Sequence, residues 1–297
     1  MRFVRFPDAA QFLEVVKDPL IQAEAKNQVL LGVSLRLARH PERTPPDMLF
    51  GAIVRGGRPI AAVMHTPPFP LHFSLFVPAS ESRTCLVHLI AWLRGQGRTF
   101  PSFLAEAATA DLFADLWRAT ETQADAPQPL VDMRQRIHTL DHIPDPPRAP
   151  GRFRPADPAD PADRDLAIQW ARAFQREALP NEADRNVDVE TGHRLDDGHL
   201  FFWERDRPVA MICKSRPGVT CCAVTLVYTP PEERGKGWGT AVTRALSRKL
   251  FEEGWQRCVL FTDLANPTSN RIYAAIGYRP VCDMTSYRFV SGEIEEG

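Results

Sequence analysis

Two stretches of the 297-residue chain concentrate groups that can do chemistry. The first, ERGKGWGT from Glu233 to Thr240, sets Gly235, Gly237 and Gly239 among Arg234, Lys236 and Trp238. Glycine admits a positive φ and lets another molecule approach the main chain, at a cost of about 0.5–1 kcal/mol in any regular element it interrupts. Between a strand and a helix, such a loop aims unpaired N–H groups and the positive end of the helix dipole at one point, which suits a pyrophosphate. It is neither of two common phosphate loops: no GK[ST] follows a GxxxxG, and the glycines alternate without the spacing of GxGxxG. The second stretch, DLANPTSNRIYAAIGYRP from Asp263 to Pro280, brings Asn266, Asn270 and the phenol of Tyr273 into one segment. Asn266 before Pro267 is also a residue type that starts helices as an N-cap.

The elements around these stretches follow from pattern. CCAVTLVYT is a β-rich run ahead of the glycine loop, and TAVTRALSRKLFEEG behind it places Val242, Ala245, Leu246 and Leu250 on one helical face, ended by Gly254. CVLFTDL predicts a strand, TSNRIYAAIG a short helix closed by Gly277, and MTSYRFV a last strand. Upstream, LAIQWARAFQREAL has helical spacing, and Leu200–Trp203 with Val209–Lys214 predicts a hairpin. The first half repeats this order: a helix near Ala23 to Arg39, a hairpin turning at VRGG, the strand LHFSLF, the helix TCLVHLIAWLRGQG, the strand SFLAEA, the helix ADLFADLWRAT and the strand QRIHTL. RPIAAVM (Arg58 to Met64) answers to RPVAMIC (Arg207 to Cys213), and a tandem duplication is the simplest account. The proline-rich run from Leu140 to Arg164 reads as a stiff connector with a boundary near Pro150, since proline fixes φ and removes a donor. The expected division is a first domain over 1–145 and a second over 146–297.

Composition narrows the function. Lys plus Arg number 36 against 37 Asp plus Glu, which argues against the broad positive surface that nucleic acid requires. No apolar run reaches the ~18 residues of a membrane span, and the first residues lack the apolar core and cleavage site of a secretory signal, so the expectation is a cytoplasmic protein without a membrane partner. The six cysteines form no CxxC pair and are expected to be reduced and mostly buried, with no metal bound. His193 and His199 fit no triad or HExxH spacing.

Arg234, Gly237 and Gly239 match the Arg/Gln-x-x-Gly-x-Gly/Ala signature, and Asn266, Ser269, Tyr273, Gly277 and Tyr278 match an Asn-x-x-Ala/Ser-x-x-x-Tyr segment closing in Gly-Tyr. Together these stretches resemble the GNAT superfamily, the GCN5-related N-acetyltransferases. The resemblance implies an α/β (α+β) fold, here two tandem GNAT-like domains, each a mainly antiparallel central sheet flanked by helices. It further implies an acetyl-CoA-dependent acetyltransferase that moves an acetyl or short acyl group to a primary amine, on a small molecule or a peptide. By the same resemblance, main-chain groups of Leu226, Val227 and Tyr228 hold the amide arm of the cofactor. The amides from Arg234 through Gly235, Lys236, Gly237, Trp238 and Gly239 to Thr240 hold the pyrophosphate, with the Arg234 side chain close by. Asn266 and Asn270 contact the arm or brace its loop, and Tyr273 is the general acid at the departing sulfur. A non-catalytic acyl-CoA-binding sensor or interaction module is the alternative with the same cofactor site.

The first half departs from this pattern. After LHFSLF comes VPASESRT, without a glycine, and Trp117 stands where Tyr273 stands in the second half, so the expectation is a degenerate copy and one cofactor per chain. For a general base, CCAVTLVYT offers no carboxylate, leaving Glu177, Glu182 and Asp184 as candidates. Both a monomer and a homodimer fit the tandem arrangement.

Overall fold

The computed structural model describes residues 1–123, 125–181 and 186–291. Two series of ten elements run in the same order. The first is β1 (Arg2–Phe6), α1 (Ala9–Gln22), α2 (Gln28–Arg39), β2 (Leu49–Arg55), β3 (Arg58–His65), β4 (Leu71–Leu75), α3 (Ala79–Gly95), β5 (Ser102–Glu106), α4 (Ala107–Ala119) and β6 (Gln128–Leu140). The second is β7 (Arg152–Pro155), α5 (Pro161–Ala178), α6 (Val187–Asp196), β8 (Leu200–Glu204), β9 (Pro208–Ser215), β10 (Cys221–Tyr228), α7 (Trp238–Glu252), β11 (Arg257–Asp263), α8 (Pro267–Ile276) and β12 (Arg279–Val290). The duplication read from RPIAAVM and RPVAMIC is thus visible element by element.

The chain forms two compact units. Unit 1 comprises Met1–Ile137, Asp263–Ala265 and Cys282–Gly297; unit 2 comprises His138–Thr262 and Asn266–Val281. In unit 1 the strands lie in the order β1-β2-β3-β4-β5-β12-β6. Here β12 is antiparallel to β5, with Tyr287 opposite Phe103 and Met284 opposite Glu106. The final strand of the sequence therefore completes the sheet of the first unit. In unit 2 the order is β11-β10-β9-β8-β7. β4 with β5 and β10 with β11 are parallel, whereas β1–β2, β2–β3, β3–β4 and β5–β12 in unit 1 and β10–β9, β9–β8 and β8–β7 in unit 2 are antiparallel.

Helices cover both faces of each sheet. In unit 1, Phe12, Leu20, Leu30 and Leu31 of α1 and α2 pack on Phe50, Ala52 and Met64, while Leu86, Leu89 and Phe113 of α3 and α4 pack on Leu49, Phe73 and Phe103. In unit 2, Ala167, Trp170 and Leu195 of α5 and α6 pack on Phe202, Met211 and Tyr228, while Val242, Leu246, Leu250 and Tyr273 of α7 and α8 pack on Phe201, Ile212 and Leu260. Strand side chains alternate between faces, so β2, β3, β8, β9 and β10 each feed two cores and read as nearly continuous apolar runs.

Some elements differ from the sequence reading. The helix expected at Ala23 to Arg39 begins at Gln28, and a separate α1 precedes it, capped by Asp8, whose carboxylate accepts from the Gln11 N–H at 2.8 Å. Pro19 lies inside α1, which weakens the helical pattern when read locally. The proline-rich run is not all connector: it contains β7, whose Phe153 pairs with Trp203, and the start of α5, where Asp160 caps and Pro161 takes a position at which a missing N–H costs nothing. α6 had no strong apolar period to announce it; Asn186 caps it by accepting from the Val189 N–H at 3.2 Å.

Candidate active site: a bulged strand leading into a glycine turn

β10 carries the first special feature. It pairs with β9 from Ala223↔Ser215 to Thr225↔Cys213, then resumes at Tyr228↔Met211. Leu226 and Val227 therefore stand opposite the single residue Ile212, a β-bulge, and Leu226 sits at φ +50°, a conformation that costs an L-residue about 1–2 kcal/mol. The extra residue reverses the facing of the strand: Cys222 and Val224 belong to the α7 and α8 core, whereas Leu226 and Tyr228 belong to the α5 and α6 core. On its other edge β10 is parallel to β11 in the register Cys221↔Arg257 to Ala223↔Val259, while both strands run on, β10 to Tyr228 and β11 to Asp263. The strands separate where the bulge releases main-chain groups of residues 226 and 227. An extended amide chain entering there would add as a strand does.

The glycine loop follows five residues later. Gly235 and Gly237 lie at φ +76° and +82°, and nothing stands within 4 Å of where a Cβ would be at either, so the loop is an open cradle. Gly237 is the N-cap of α7, and no side chain caps that helix. The first N–H groups of a helix have no intrahelical partner, so this end presents donors and the positive dipole end to whatever fills the cradle. Open glycines and an uncapped helix fit a pyrophosphate.

The loop is braced from below by a residue that pattern reading passed over. Glu233, 9% exposed, accepts hydrogen bonds from the Trp238 indole (3.2 Å), Lys236 Nζ (3.0 Å) and Arg207 (2.9 Å). The Lys236 bond chiefly, with help from Trp238, holds its carboxyl below the usual carboxylate range. Trp238 is itself buried, so its side chain anchors the loop while its main chain faces the cradle. A carboxylate one residue before the motif arginine and an indole five residues later was the available signal.

Arg234 is tied on two sides: Nε donates to the Thr229 carbonyl at 3.0 Å, and its guanidinium donates to Glu177 at 2.6 Å. The other Glu177 oxygen accepts from the Tyr228 hydroxyl at 3.2 Å. Glu177 is therefore engaged with the loop and the bulged strand; Glu182 and Asp184 lie outside the described residues.

In α8, Asn266 accepts from the Ser269 N–H at 3.1 Å as its N-cap, so it braces the helix start; Asn270 lies one turn on, its N–H donating to the Asn266 carbonyl at 3.3 Å. Gly277 ends the helix at φ +111°, with the His142 ring 2.9 Å from where a Cβ would be, so both conformation and space require glycine. Tyr273 is 8% exposed, and its ring meets Tyr278 edge-on at 6.0 Å. Burial alone raises the Tyr273 pKa, with no charge or hydrogen bond contributing. The Tyr278 hydroxyl is instead shared with Ser247 at 2.8 Å. Tyr273 is thus a neutral phenol held by packing, with its proton uncommitted.

In unit 1 Trp117, the residue set against Tyr273 by sequence position, is built into apolar packing. Trp117 stacks on Phe113 at 5.7 Å, meets Phe100 and Phe289 edge-on, and lies under the Arg94 guanidinium at 4.7 Å. α3 starts after Pro78, and no glycine stands in the turn before it.

Unit 2 thus joins a two-faced sheet, a bulged strand, a glycine turn and an uncapped helix in one continuous segment, and unit 1 repeats the order of elements without the glycine turn. Residues 164–278 match the sequence model of the Acetyltransferase (GNAT) family. Among solved structures, a Drosophila protein is similar over 97% of this chain and 98% of its own, at 14% identity and TM-score 0.68. A GCN5-related N-acetyltransferase from Sphaerobacter thermophilus is 14% identical over 98% and 97% of the two chains, TM-score 0.62. A tandem GNAT protein from the clavulanic acid biosynthesis pathway is 14% identical over 99% of each, TM-score 0.57. No curated protein sequence matches. Unit 1 is GNAT-like by fold. The family match supports acyl transfer from an acyl-coenzyme A for the segment it covers. Among the described residues no helix is long and apolar enough to cross a membrane, and no group of three His, Cys, Asp or Glu side chains is placed to hold a metal ion.

Proposed function

We propose that unit 2 transfers an acetyl or short acyl group from coenzyme A to the primary amine of a small molecule or peptide, with Tyr273 as general acid. The observation that carries this reading is the continuity of the β10 bulge, the open Gly235–Gly237 cradle and the uncapped start of α7 within one strand–loop–helix segment. Acetyl-CoA would supply the acyl group as a thioester, whose thiolate is already a fair leaving group, so positioning carries much of the acceleration. Leu226 to Tyr228 would fix the amide arm through main-chain groups, and the amides from Gly235 to Thr240, with Arg234, would hold the pyrophosphate. Asn266 would keep the start of α8 in place. Tyr273, neutral well above physiological pH, would donate its hydroxyl proton at the sulfur, a contribution of roughly 10²- to 10⁴-fold for a positioned acid. Glu177 sits beside Arg234, at the end of the site assigned to the pyrophosphate, so the acceptor amine would lose its proton to solvent or to a base not identified among the described residues.

Unit 1 lacks the cradle, so the chain takes one cofactor. Calorimetric titration with acetyl-CoA tests the reading: saturable binding at one site per chain supports it, and turnover is then sought with a panel of amines by release of the coenzyme A thiol. Absence of binding overturns it.

A further inference from the structure

Both cations of the glycine loop are already held by carboxylates, but in different ways. Lys236 bonds Glu233, which also accepts from Arg207 and Trp238 and would stay neutralised if Lys236 left. Arg234 bonds Glu177, and if Arg234 left, the Tyr228 hydroxyl alone would remain on that carboxylate. The pair is accessible: side-chain exposures are 48% for Arg234 and 45% for Glu177. Glu177 ends α5, and the ring of Trp170 in that helix lies 6.1 Å from the ring of Tyr228, so the helix seats the carboxylate beside the bulge.

We propose that Glu177 is a charge gate on the cradle: it holds Arg234 in the empty protein until a pyrophosphate takes the guanidinium, and it competes with that pyrophosphate for Arg234. The inference rests on the acyl-coenzyme A reading of unit 2. A pyrophosphate diester brings two negative charges where Glu177 offers one, and guanidinium favours the planar, multidentate contact that phosphate oxygens provide. An exposed ion pair is worth little, so it yields to a better partner.

The test is calorimetry with coenzyme A on the full chain, comparing wild type, Glu177→Gln and Glu252→Gln. A gate makes Glu177→Gln bind coenzyme A about two- to fivefold tighter, since the competing carboxylate is gone. Glu252→Gln, which removes an equal charge at the far end of α7 from the cradle, binds within twofold of wild type. Unchanged or weaker binding by Glu177→Gln, in a variant whose thermal unfolding matches wild type, overturns the gate and makes Glu177 a scaffold for Arg234. No binding by the wild type instead removes the parent reading.

Discussion

Gly237→Glu gives the most direct test of the cradle. At φ +82° and ψ 8° an L-residue costs about 1–2 kcal/mol relative to its relaxed conformation, but the open space around the position spares the new side chain any clash within the protein. For a domain of this size that strain corresponds to a fall in Tm of roughly 3–8 °C. The added carboxylate faces the place assigned to the pyrophosphate. Two unit charges ~5 Å apart repel by about 0.8 kcal/mol in water and about 3.3 kcal/mol at an effective dielectric of 20, which is about 4- to 250-fold in Kd per phosphate charge. Calorimetry should show acetyl-CoA binding at least tenfold weaker. Gly56→Glu is the matched control: Gly56, in the β2–β3 turn of unit 1, has φ +58° and equally open surroundings, so it carries similar strain with no cofactor nearby. Binding by Gly237→Glu within twofold of wild type, or equal weakening in Gly56→Glu, would refute the placement of the pyrophosphate.

Tyr273→Phe removes a buried hydroxyl to which no hydrogen bond contributes, so Tm should stay the same or rise slightly, while the rate with an acceptor found in the amine screen falls tenfold or more and acetyl-CoA affinity holds. An unchanged rate takes Tyr273 out of the mechanism. Because burial raises this phenol above its ordinary value near 10, its ionisation should produce no fall in rate below about pH 10. Titration of the whole chain with acetyl-CoA should reach one equivalent; two would mean that unit 1 binds despite its glycine-free turn. Acid stability should depend on the cluster at the start of unit 2, where Arg154 holds Asp163 at 2.9 Å and also pairs with Glu204, lowering the pKa of both carboxyls. Groups with depressed folded pKa values contribute stability that is complete above their unfolded values near 4 and lost as pH falls through the folded ones. The Tm should therefore fall between pH 5 and pH 3, and this fall should be smaller in Asp163→Asn, whose Tm at pH 7 is already lower. Equal acid slopes would show that the cluster is not responsible.

The sequence determined the local chemistry. Gly235 and Gly237 require a turn with positive φ whatever surrounds them, Asn266–Pro267 starts a helix and Gly277 ends one, and the apolar spacing of α7 needs no knowledge of its partners. These signals lie within a few residues of each other, and so the loop, its helix and Tyr273 could be placed from the chain alone. Relations between distant residues were decided by the tertiary structure. MTSYRFV reads as a strand, but its pairing with β5 depends on an edge that exists only once unit 1 has folded. Leu226 carries no turn residue's signature; its positive φ is imposed because β10 must serve the α7 core before the bulge and the α5 core after it. Glu177 lies 57 residues from Arg234, and its engagement with both Arg234 and Tyr228 follows from α5 packing on β10. Backbone conformation and capping are set over one or two turns of chain, whereas strand partners, bulges and charge pairs are set by which surfaces must be buried together.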